Sequence, residues 1–118
     1  KKVLLIGVSY KEDTNDTRFS PSEIVSNFFK NLNCKVNFYD PLVNYWEYTK
    51  SYSIQKKNLN KFDVYVYLVR HKALNNLNIE YKKKSIILDL NHVLEKKKKL
   101  KILKNRNCKS YFIGSKIS

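Results

Sequence analysis

A ten-residue polar segment lies between a predicted strand and a predicted helix near the start of the chain. Residues 10–19, YKEDTNDTRF, follow the apolar run VLLIGV (residues 3–8) and precede SPSE (residues 20–23), a pattern typical of a helix start. A plain strand-to-helix connection needs only about two to six residues, and longer loops usually carry function. We therefore expect this loop to carry a function.

Polar residues follow every strand of the predicted sheet, at the edge where open α/β sheets bind their ligands. The residues after the five predicted strands are, in chain order, Tyr10 and Lys11; Asp40 and Pro41; Arg70, His71 and Lys72; Asn91 and His92; and Ser115 and Lys116. This edge is cationic and rich in hydrogen-bond donors, which suits an anionic ligand such as a nucleotide diphosphate. Because lysines are spread through the whole chain, the pattern alone leaves a chance accumulation open.

The elements that position these residues alternate between apolar runs and helical patterns. We predict strands at residues 3–8, 35–41, 63–69, 85–90 and 110–114, helices at 23–32 and within 92–105, and a short helix or turn at 71–77. Residues 42–60 give a mixed signal, interpreted as a short helix around Trp46 and an extended piece at residues 53–54. The alternation predicts one α/β domain over residues 1–118, a Rossmann-like three-layer fold with a mostly parallel five- or six-stranded sheet and helices on both faces.

Both helices have sequence patterns that can be tested against the structure. The first has a predicted capping box, with Ser20 as N-cap, Pro21 at the first helical position and Glu23 three residues after the cap. Its apolar residues at helical spacing are Ile24, Val25, Phe28, Phe29 and Leu32. In the second helix we expect Leu94, Leu100 and Leu103 to face inward and the lysines to face water.

The strong positive charge has two explanations. The chain has 24 lysines and arginines against 10 acidic residues, a net charge of +14, which raises the expectation of nucleic-acid binding. However, Lys, Asn, Ile, Tyr and Phe are all abundant and all have A/T-rich codons, so a biased genome accounts for the composition. Arginine, which reads bases by two hydrogen bonds, occurs only at Arg18, Arg70 and Arg106.

Other residue types limit the possible chemistry. Cys34 and Cys108 lie far apart without a CxxC partner, so we expect reduced thiols, a cytoplasmic location and no metal site. No apolar run approaches the roughly 18 residues that span a membrane. The chain contains no methionine, so we expect it to be a piece or a processed product of a longer protein. No Ser, Cys or His forms a nucleophile–base pair, and we predict no catalytic residue.

The first strand-to-helix turn does not have the dinucleotide fingerprint. That fingerprint, G-x-G-x-x-G, lets the backbone approach the pyrophosphate at a helix N-terminus. Here Gly7 is followed by Ser9 and Glu12 at the other two places. We also expect the long loop to hold the helix start away from the strand. These residues therefore argue against NAD binding by this chain.

The same loop resembles a motif of a known enzyme family. GVSYKEDTNDTRFSPSEI followed by VNFYDP resembles the start of the C-terminal domain of the UDP-glucose, GDP-mannose and UDP-N-acetylmannosamine 6-dehydrogenases. The matching residues are Gly7, Ser9, Tyr10, Lys11, Thr14, Asp16, Arg18, Ser20, Pro21, Tyr39, Asp40 and Pro41. FDVYVYLVRHKAL, ILDLNHVL and YFIG are similar to later segments of that domain, so the resemblance spans nearly the whole chain.

The resemblance implies a division of labour between domains. Family members are NAD-dependent enzymes that oxidise the sugar C6 alcohol twice, to a carboxylate. An N-terminal domain holds NAD, a central helical region carries the dimer contact and, with the N-terminal domain, the catalytic cysteine, and the C-terminal domain closes over the nucleotide. By resemblance this chain binds a UDP-sugar or other nucleotide-sugar, partners the missing domains in a homo-oligomer, and binds no NAD itself. Neither Cys34 nor Cys108 stands in the family's nucleophile motif.

The resemblance also assigns roles to residues. Tyr10 and Lys11 match the aromatic-Lys pair that touches the substrate, and Lys11 would meet phosphate or sugar oxygens as a point charge. The other expected substrate-binding residues are Arg18, Arg70, His71, Asn91 and His92. Those expected to structure the loop are Thr14, Asp16 and Ser20, and Arg18 could also reach across a domain or subunit boundary.

One residue departs from the family's pattern. Asn91 stands where many relatives have an arginine, so hydrogen bonding is kept but the charge and the fork geometry are lost. A different substrate, compensation by Arg70 or His92, and a degraded site all remain open.

Two other function classes stay open beside the dehydrogenase domain. One is a basic α/β module that binds nucleic acid, whose affinity would fall steeply with salt. The other is a non-catalytic structural or dimerisation domain, which would bind no small ligand.

Overall fold

The chain folds around a five-stranded sheet in which every neighbouring pair of strands is parallel. The computed structural model describes residues 1–113. The elements are β1 (Lys2–Ile6), α1 (Ser22–Asn31), β2 (Lys35–Tyr39), β3 (Tyr45–Trp46), β4 (Ser51–Tyr52), β5 (Val64–Tyr67), β6 (Ile86–Asp89), α2 (Lys96–Leu103) and β7 (Lys109–Phe112), with 3₁₀ turns at Lys56–Asn58 and Lys72–Asn76. The sheet order is β2-β1-β5-β6-β7. The predicted α/β fold is confirmed, and Ser115 and Lys116 lie outside the described residues.

A helix packs on each face of this sheet. Successive residues of a strand point to opposite faces, and in β1 both sets are buried, which is why its sequence has no polar residue after Lys2. The cluster on the α1 side includes Val3, Leu5, Val25 and Phe29. The cluster on the α2 side includes Leu4, Ile6 and Ile102. The prediction of three layers is therefore confirmed.

The predicted capping box of α1 is wrong. The N-cap is Pro21 rather than Ser20, and no side chain caps the helix. The buried Ser20 hydroxyl instead donates to the carbonyl oxygen of Ser9 at 3.1 Å and accepts from the backbone N–H of Ser22 at 3.2 Å. The Ser20 hydroxyl thus closes the preceding loop, and the N–H of Glu23 donates to the carbonyl oxygen of Ser20 at 3.0 Å instead of to its side chain.

The inward face of α2 also differs from the prediction. Leu94 is buried, but Leu100 and Leu103 are exposed, and the buried residues of the helix are Lys99 and Ile102. The Lys99 Nζ lies 5.6 Å from the ring centre of Phe112, so its aliphatic stem packs inward as long cationic side chains do. The helix packs along the ridge of residues 99 and 102 rather than along its leucines.

Residues 42–60 contain a small hairpin instead of the predicted helix. Trp46 belongs to β3, which pairs with β4 in an antiparallel two-stranded sheet. The indole is almost wholly buried and packs edge-on against Phe38, with 5.6 Å between ring centres. Burial of this large ring therefore outweighs local helix propensity.

Gly7 is required at the end of β1. Its φ is +80°, and a Cβ there would lie 2.8 Å from the carbonyl oxygen and 2.9 Å from the Cβ of Val69. Both the backbone conformation and the close approach of the β5 chain therefore exclude a side chain. This contact brings the loops after β1 and β5 together.

The buried tyrosines on the α2 side predict a loss of stability at alkaline pH. Burial, with Tyr81 close by, raises the pKa of Tyr67 well above its ordinary 10.0, and burial also raises the pKa of Tyr81. The folded protein holds these protons above pH 10.0, where unfolded tyrosine releases them, so the free energy of unfolding falls as the pH rises through that range. Urea titrations at increasing pH, with tyrosinate absorbance as a second signal, measure this fall.

Tyr67→Phe, compared with the exposed Tyr52→Phe, serves as the test variant. We expect the alkaline loss to be smaller in Tyr67→Phe than in wild type and unchanged in Tyr52→Phe. Equal pH dependence in all three proteins would contradict the assignment.

Among residues 1–113, no helix is both long enough and apolar enough to cross a membrane.

Candidate functional site

A cavity lies where the order of the strands reverses. The chain goes from β1 to β2, which pairs with one side of β1, and later crosses to β5, which pairs with the other side of β1. The loops after β1 and β5 therefore diverge and leave a crevice at the carboxyl ends of these strands. The cavity there has a volume of about 490 Å³, within the range of small-ligand sites. It is lined by Ser9, Tyr10, Lys11, Glu12, Pro21, Ser22, Val25, Leu68, Val69, Leu90 and Asn91.

The long loop after β1 folds back on itself. The N–H of Tyr10 donates to the carbonyl oxygen of Asp16 at 2.6 Å, and the Ser20 hydroxyl joins the end of the loop to Ser9 at its start. Pro21 and Ser22 consequently line the same cavity as Lys11. The expectation that this loop holds the helix start away from the strand is wrong, so the case against NAD rests on the missing glycines.

Polar residues inside the loop bond to one another. Thr14 Oγ1 accepts from the N–H of Asp16 at 3.3 Å. The Asp16 carboxylate accepts from the N–H of Arg18 and from two guanidinium nitrogens of Arg18, at 3.0, 3.1 and 3.0 Å. These bonds from Arg18 lower the pKa of Asp16 to about 2, so the pair stays ionised at any pH near neutral.

A buried histidine and aspartate tie the loops after β1, β2 and β5 together. His71 and Asp40 have wholly buried side chains, and His71 Nε2 lies 3.0 Å from Asp40 Oδ2. The same carboxylate accepts from the N–H groups of Val8 and Leu42, both at 2.8 Å. His71 Nδ1 accepts from the N–H of Asp13 at 2.9 Å. The position of the Lys11 loop is therefore determined by residues on two other strand ends.

Asp13 strengthens this attachment from the side of the loop. Its φ of +55° turns the backbone N–H towards His71, and its Oδ1 accepts from the N–H of Lys72 at 2.9 Å. A left-handed backbone costs an L residue energy, which neighbouring bonds must offset. The two bonds of Asp13 supply that compensation.

The contacts of Ser9, His71 and Asp40 exclude a catalytic triad. Since Nδ1 accepts from a backbone N–H, the proton of the neutral ring is on Nε2, which donates to Asp40 and lies 3.2 Å from Ser9 Oγ. In a triad the serine and the carboxylate use different ring nitrogens. Ser9 Oγ also donates to the carbonyl oxygen of Lys11 at 2.8 Å, and all three side chains are buried. The group holds structure and does not activate a nucleophile.

A second buried aspartate organises the opposite wall of the cavity. Asp89, at the end of β6, accepts from the N–H groups of Asn91, Val93 and Leu94 at 3.2, 2.9 and 2.9 Å. The Asn91 side chain then donates through Nδ2 to the carbonyl oxygen of Leu68 at 3.1 Å. Since a carbonyl can only accept, the amide is oriented, and its Oδ1 remains as a hydrogen-bond acceptor.

The structure brings three of the seven predicted substrate-binding residues to the cavity. Tyr10, Lys11 and Asn91 line it, whereas Arg18, Arg70 and His92 are exposed residues outside the lining. His71 contributes from beneath, with no atom accessible to a ligand in this conformation.

Sequence reasoning missed Ser9, Asp13 and Asp40 as residues of the site. Asp13 and Asp40 act through backbone and buried contacts outside the cavity lining, and Ser9, which does line the cavity, acts through its buried hydroxyl. The detectable signal was an acidic residue and a histidine directly after two apolar strands, at Asp40 and His71, because a buried acid requires a partner.

A larger cavity lies on the other face of the sheet, between residues 74–83 and α2. Its volume is about 520 Å³, but it is away from the strand reversal. Its Lys98 Nζ already donates to the carbonyl oxygens of Leu74 and Leu77 at 2.9 and 2.8 Å. We therefore take the cavity between the loops after β1 and β5 as the candidate site.

The comparison with family models identifies this arrangement. The model of the UDP-glucose/GDP-mannose dehydrogenase family, UDP binding domain, matches residues 4–96. The chain belongs to the UDP-glucose/GDP-mannose dehydrogenase family. The resemblance found in the loop of residues 10–19 is thus confirmed, and the matched part is the UDP-binding domain of these nucleotide-sugar dehydrogenases.

Two named relatives and two solved structures illustrate the match. The UDP-N-acetyl-D-mannosamine dehydrogenase of Methanococcus vannielii is 34% identical over 117 residues, covering 88% of this chain and 27% of that protein. The corresponding enzyme of Methanococcus aeolicus is 25% identical over 96 residues, covering 81% and 20%. The chain therefore spans about a quarter of the length of these relatives.

The solved structures support the fold. The NDP-N-acetyl-D-galactosaminuronic acid dehydrogenase from Methanosarcina mazei superposes with a TM-score of 0.76 and 22% identity, covering 96% of this chain and 24% of that one. The UDP-D-ManNAc dehydrogenase from Pyrococcus horikoshii gives a TM-score of 0.62 and 24% identity, covering 80% and 22%.

Family members depend on NAD, but the residues of this chain do not fit that cofactor. The space beside Gly7 is filled by Val69, and Ser9 and Glu12 replace the two following glycines of the dinucleotide fingerprint. Among residues 1–113, no group of His, Cys, Asp and Glu is arranged to hold a metal ion.

Proposed function

We propose that this chain is the nucleotide-sugar-binding domain of an NAD-dependent 6-dehydrogenase that oxidises a UDP-hexose-type substrate to the uronate. The observation that carries the proposal is the cavity at the strand reversal, with Tyr10 and Lys11 on one wall and Asn91 on the other. By analogy with the Methanococcus relatives, an N-acetylated UDP-sugar is the favoured substrate.

The lining matches the parts of a nucleoside diphosphate. Lys11 supplies a positive point charge for phosphate oxygens, and the half-exposed Tyr10 ring offers a surface for stacking. Asn91 Oδ1 is an acceptor suited to an N–H or hydroxyl of the ligand. Leu68 and Leu90 provide apolar contact between these polar groups.

Some lining and rim residues suit other parts of the substrate. Glu12 would repel phosphate and fits a sugar hydroxyl, which can donate to it. Arg18, Arg70 and His92 lie outside the cavity, and we assign them to the sugar end of the substrate or to contacts with the remaining domains. His71 acts as a positioning residue, because its bond to Asp13 holds the loop that carries Lys11.

The chemical step then belongs to the parts of the enzyme outside this chain. NAD and the catalytic cysteine would lie on the N-terminal and central domains, and the complete enzyme would act as a cytoplasmic homo-oligomer. Within this chain, the described residues bind and orient the substrate.

Titration of isotope-labelled protein with UDP tests the proposal, with GDP as the comparison. We expect backbone amide shifts to cluster at residues 10–18, 70–72 and 91–92, saturably and with a preference for UDP. Absence of shifts at millimolar UDP, or shifts that follow salt concentration rather than base identity, would contradict it. The second outcome would favour the nucleic-acid alternative.

A further inference from the structure

The crossover from β5 to β6 contains no α-helix. Connections between parallel strands usually contain one, as α1 does between β1 and β2 and α2 does between β6 and β7. Here the 3₁₀ turn Lys72–Asn76 is followed by an extended segment, residues 77–83, which we call the strap. Leu77, Ile79 and Tyr81 of the strap alternate with exposed residues and pack against the core. Because a strap fills less space than a helix, a cavity of about 520 Å³ remains between it and α2.

This cavity is apolar on its buried walls and polar where it meets solvent. Its buried lining residues are Tyr67, Leu74, Val93, Leu94 and Ile102. Every exposed residue of its lining is an asparagine, a lysine or a glutamate. Small-ligand cavities of this size combine apolar walls with a few polar groups in the same way. A molecule that fits this cavity therefore has an apolar body and a polar end.

Two tyrosine hydroxyls in the cavity share a single hydrogen bond. Tyr67 and Tyr81 both line the cavity, and their hydroxyls bond to each other. Each hydroxyl has one proton to donate, so one of the two protons is used in this bond and the other has no acceptor among residues 1–113. Tyr67 is only 4% exposed. Since a buried donor without an acceptor costs free energy, an acceptor atom of a ligand would be stabilised at this pair.

Lys98 places a fixed positive charge in the same cavity. Its Nζ donates to the carbonyl oxygens of Leu74 and Leu77 at 2.9 and 2.8 Å. An ammonium group has three protons, so one proton remains for a ligand. Lys98 forms no ion pair with a carboxylate of residues 1–113. Burial lowers the pKa of Lys98, and Glu95 opposes this effect only in part, so an anion beside the ammonium would be favourable.

The other charged residues of the lining limit the charge of the ligand. Glu80 and Glu95 line the cavity together with Lys83, Lys98 and Lys101, so a multiply charged group such as a diphosphate would be repelled by the two carboxylates. A single negative charge can lie at Lys98 without this cost. No residue lines both this cavity and the one at the strand reversal. The two cavities are therefore suited to different ligands.

We propose that the cavity between the strap and α2 binds a small amphipathic molecule with one negative charge. Its anionic group accepts a hydrogen bond from Lys98 Nζ, and its apolar body packs between the strap and Ile102. An acceptor atom on that body faces the hydroxyls of Tyr67 and Tyr81. Lys98 is held by two carbonyl oxygens before the ligand arrives, so little side-chain entropy is lost on binding. This second site does not depend on the proposed binding of UDP.

Fluorescence titration of the 118-residue protein with anilinonaphthalene sulfonate tests the proposal. This probe combines aromatic rings with one sulfonate, and we expect it to bind saturably at one site. Backbone amide shifts should cluster at residues 77–83 and 96–105. Phenylnaphthylamine, the same molecule without the sulfonate, should bind more weakly by about tenfold or more, the equivalent of one hydrogen bond to a charged group.

Lys98→Met and Lys96→Met test the role of the cation. Lys98→Met keeps the aliphatic stem and removes the charge, so it should weaken binding of the sulfonate by about tenfold or more. Its affinity for phenylnaphthylamine should stay as in wild type. Lys96 is on the same helix but is exposed and outside the lining, so Lys96→Met is the matched control and should bind both probes as wild type does.

Leu77→Trp tests the cavity without changing any charge. The larger ring should fill the space between the strap and α2 and abolish binding of both probes. Leu32→Trp is its control, because Leu32 is 58% exposed at the end of α1. Circular dichroism checks that each variant is folded.

Three results would overturn the proposal. They are an absence of saturable binding, equal affinities of wild type, Lys98→Met and Leu77→Trp for the sulfonate, and amide shifts at residues 22–32 instead of at the strap, which would place the probe on the exposed apolar side chains of α1. A UDP titration of the same variants keeps the two proposals apart, because none of these substitutions changes the cavity at the strand reversal.

Discussion

Replacing Asp40 with alanine is expected to lower the free energy of unfolding by about 3–5 kcal/mol, because each buried hydrogen-bond donor left without its acceptor costs about 1–3 kcal/mol. The substitution leaves the N–H groups of Val8 and Leu42 and the Nε2–H of His71 without their acceptor. The Val8 N–H and the His71 ring are buried, so water cannot replace the lost acceptor at these two donors. A loss of this size is a large part of the total stability of a domain.

Urea unfolding followed by circular dichroism measures the change, with two comparison variants. Asp16→Ala removes a carboxylate of the same loop region that is exposed and bonded to Arg18, and should change stability little. Asp40→Asn keeps one acceptor oxygen but turns a donor towards a backbone N–H, so it should fall between Asp40→Ala and wild type. Equal stability of Asp40→Ala and wild type would show that the carboxylate does not organise these loops.

The Asp40 variants should also release the loop that carries Lys11. His71 holds the N–H of Asp13 through Nδ1 only while Asp40 fixes the ring through Nε2. Hydrogen exchange at the Asp13 amide is therefore expected to become faster in Asp40→Ala, even in molecules that remain folded. An unchanged exchange rate at the Asp13 amide would show that the bond between Asp40 and His71 does not hold this loop in place.

The elements that sequence reasoning predicted well are those determined by burial on both faces. β1 and β5 are short runs of apolar and aromatic residues buried on both faces, as an interior strand of a parallel sheet requires. The position of Trp46 was not predictable in this way, because its strand is two residues long and is stabilised by contact with Phe38. Likewise Leu100 and Leu103 look like core residues on α2, but the direction from which the sheet packs selects Ile102.

Sequence reasoning predicts the candidate site only where a residue able to bind a ligand follows a strand. Tyr10, Lys11 and Asn91 follow their strands directly, so any parallel sheet would bring them to one edge. The bond between His71 and Asp40 joins residues 31 positions apart, and it depends on β2 and β5 lying on either side of β1. Sequence alone gave no strand order, so His71 was assigned to the ligand rather than to the support of the loop.

Replacing Lys11 with alanine is expected to weaken UDP binding by about 10- to 100-fold, the equivalent of one hydrogen bond to a charged group. The Lys11 side chain is exposed, and the loop holds this residue through its carbonyl oxygen, which accepts from Ser9 Oγ. The substitution therefore removes the charge without removing a loop contact, and the folded state should be preserved. Amide shifts during a UDP titration give the dissociation constant.

Lys35→Ala and Lys11→Arg separate the local role of Lys11 from the general positive charge. Lys35 begins β2 at the opposite end of the sheet and is exposed, so its replacement lowers the net charge equally but at a distance from the cavity. We expect Lys35→Ala to bind UDP as wild type does and Lys11→Arg to retain most of the affinity, since both keep a cation in the cavity. If Lys35→Ala and Lys11→Ala weakened binding equally, attraction to a basic protein would explain the affinity. If Lys11 contacts UDP directly, affinity is lost only when the positive charge at position 11 is removed. The bonds of Asp13 and Ser20 hold the loop that carries this charge at the strand reversal.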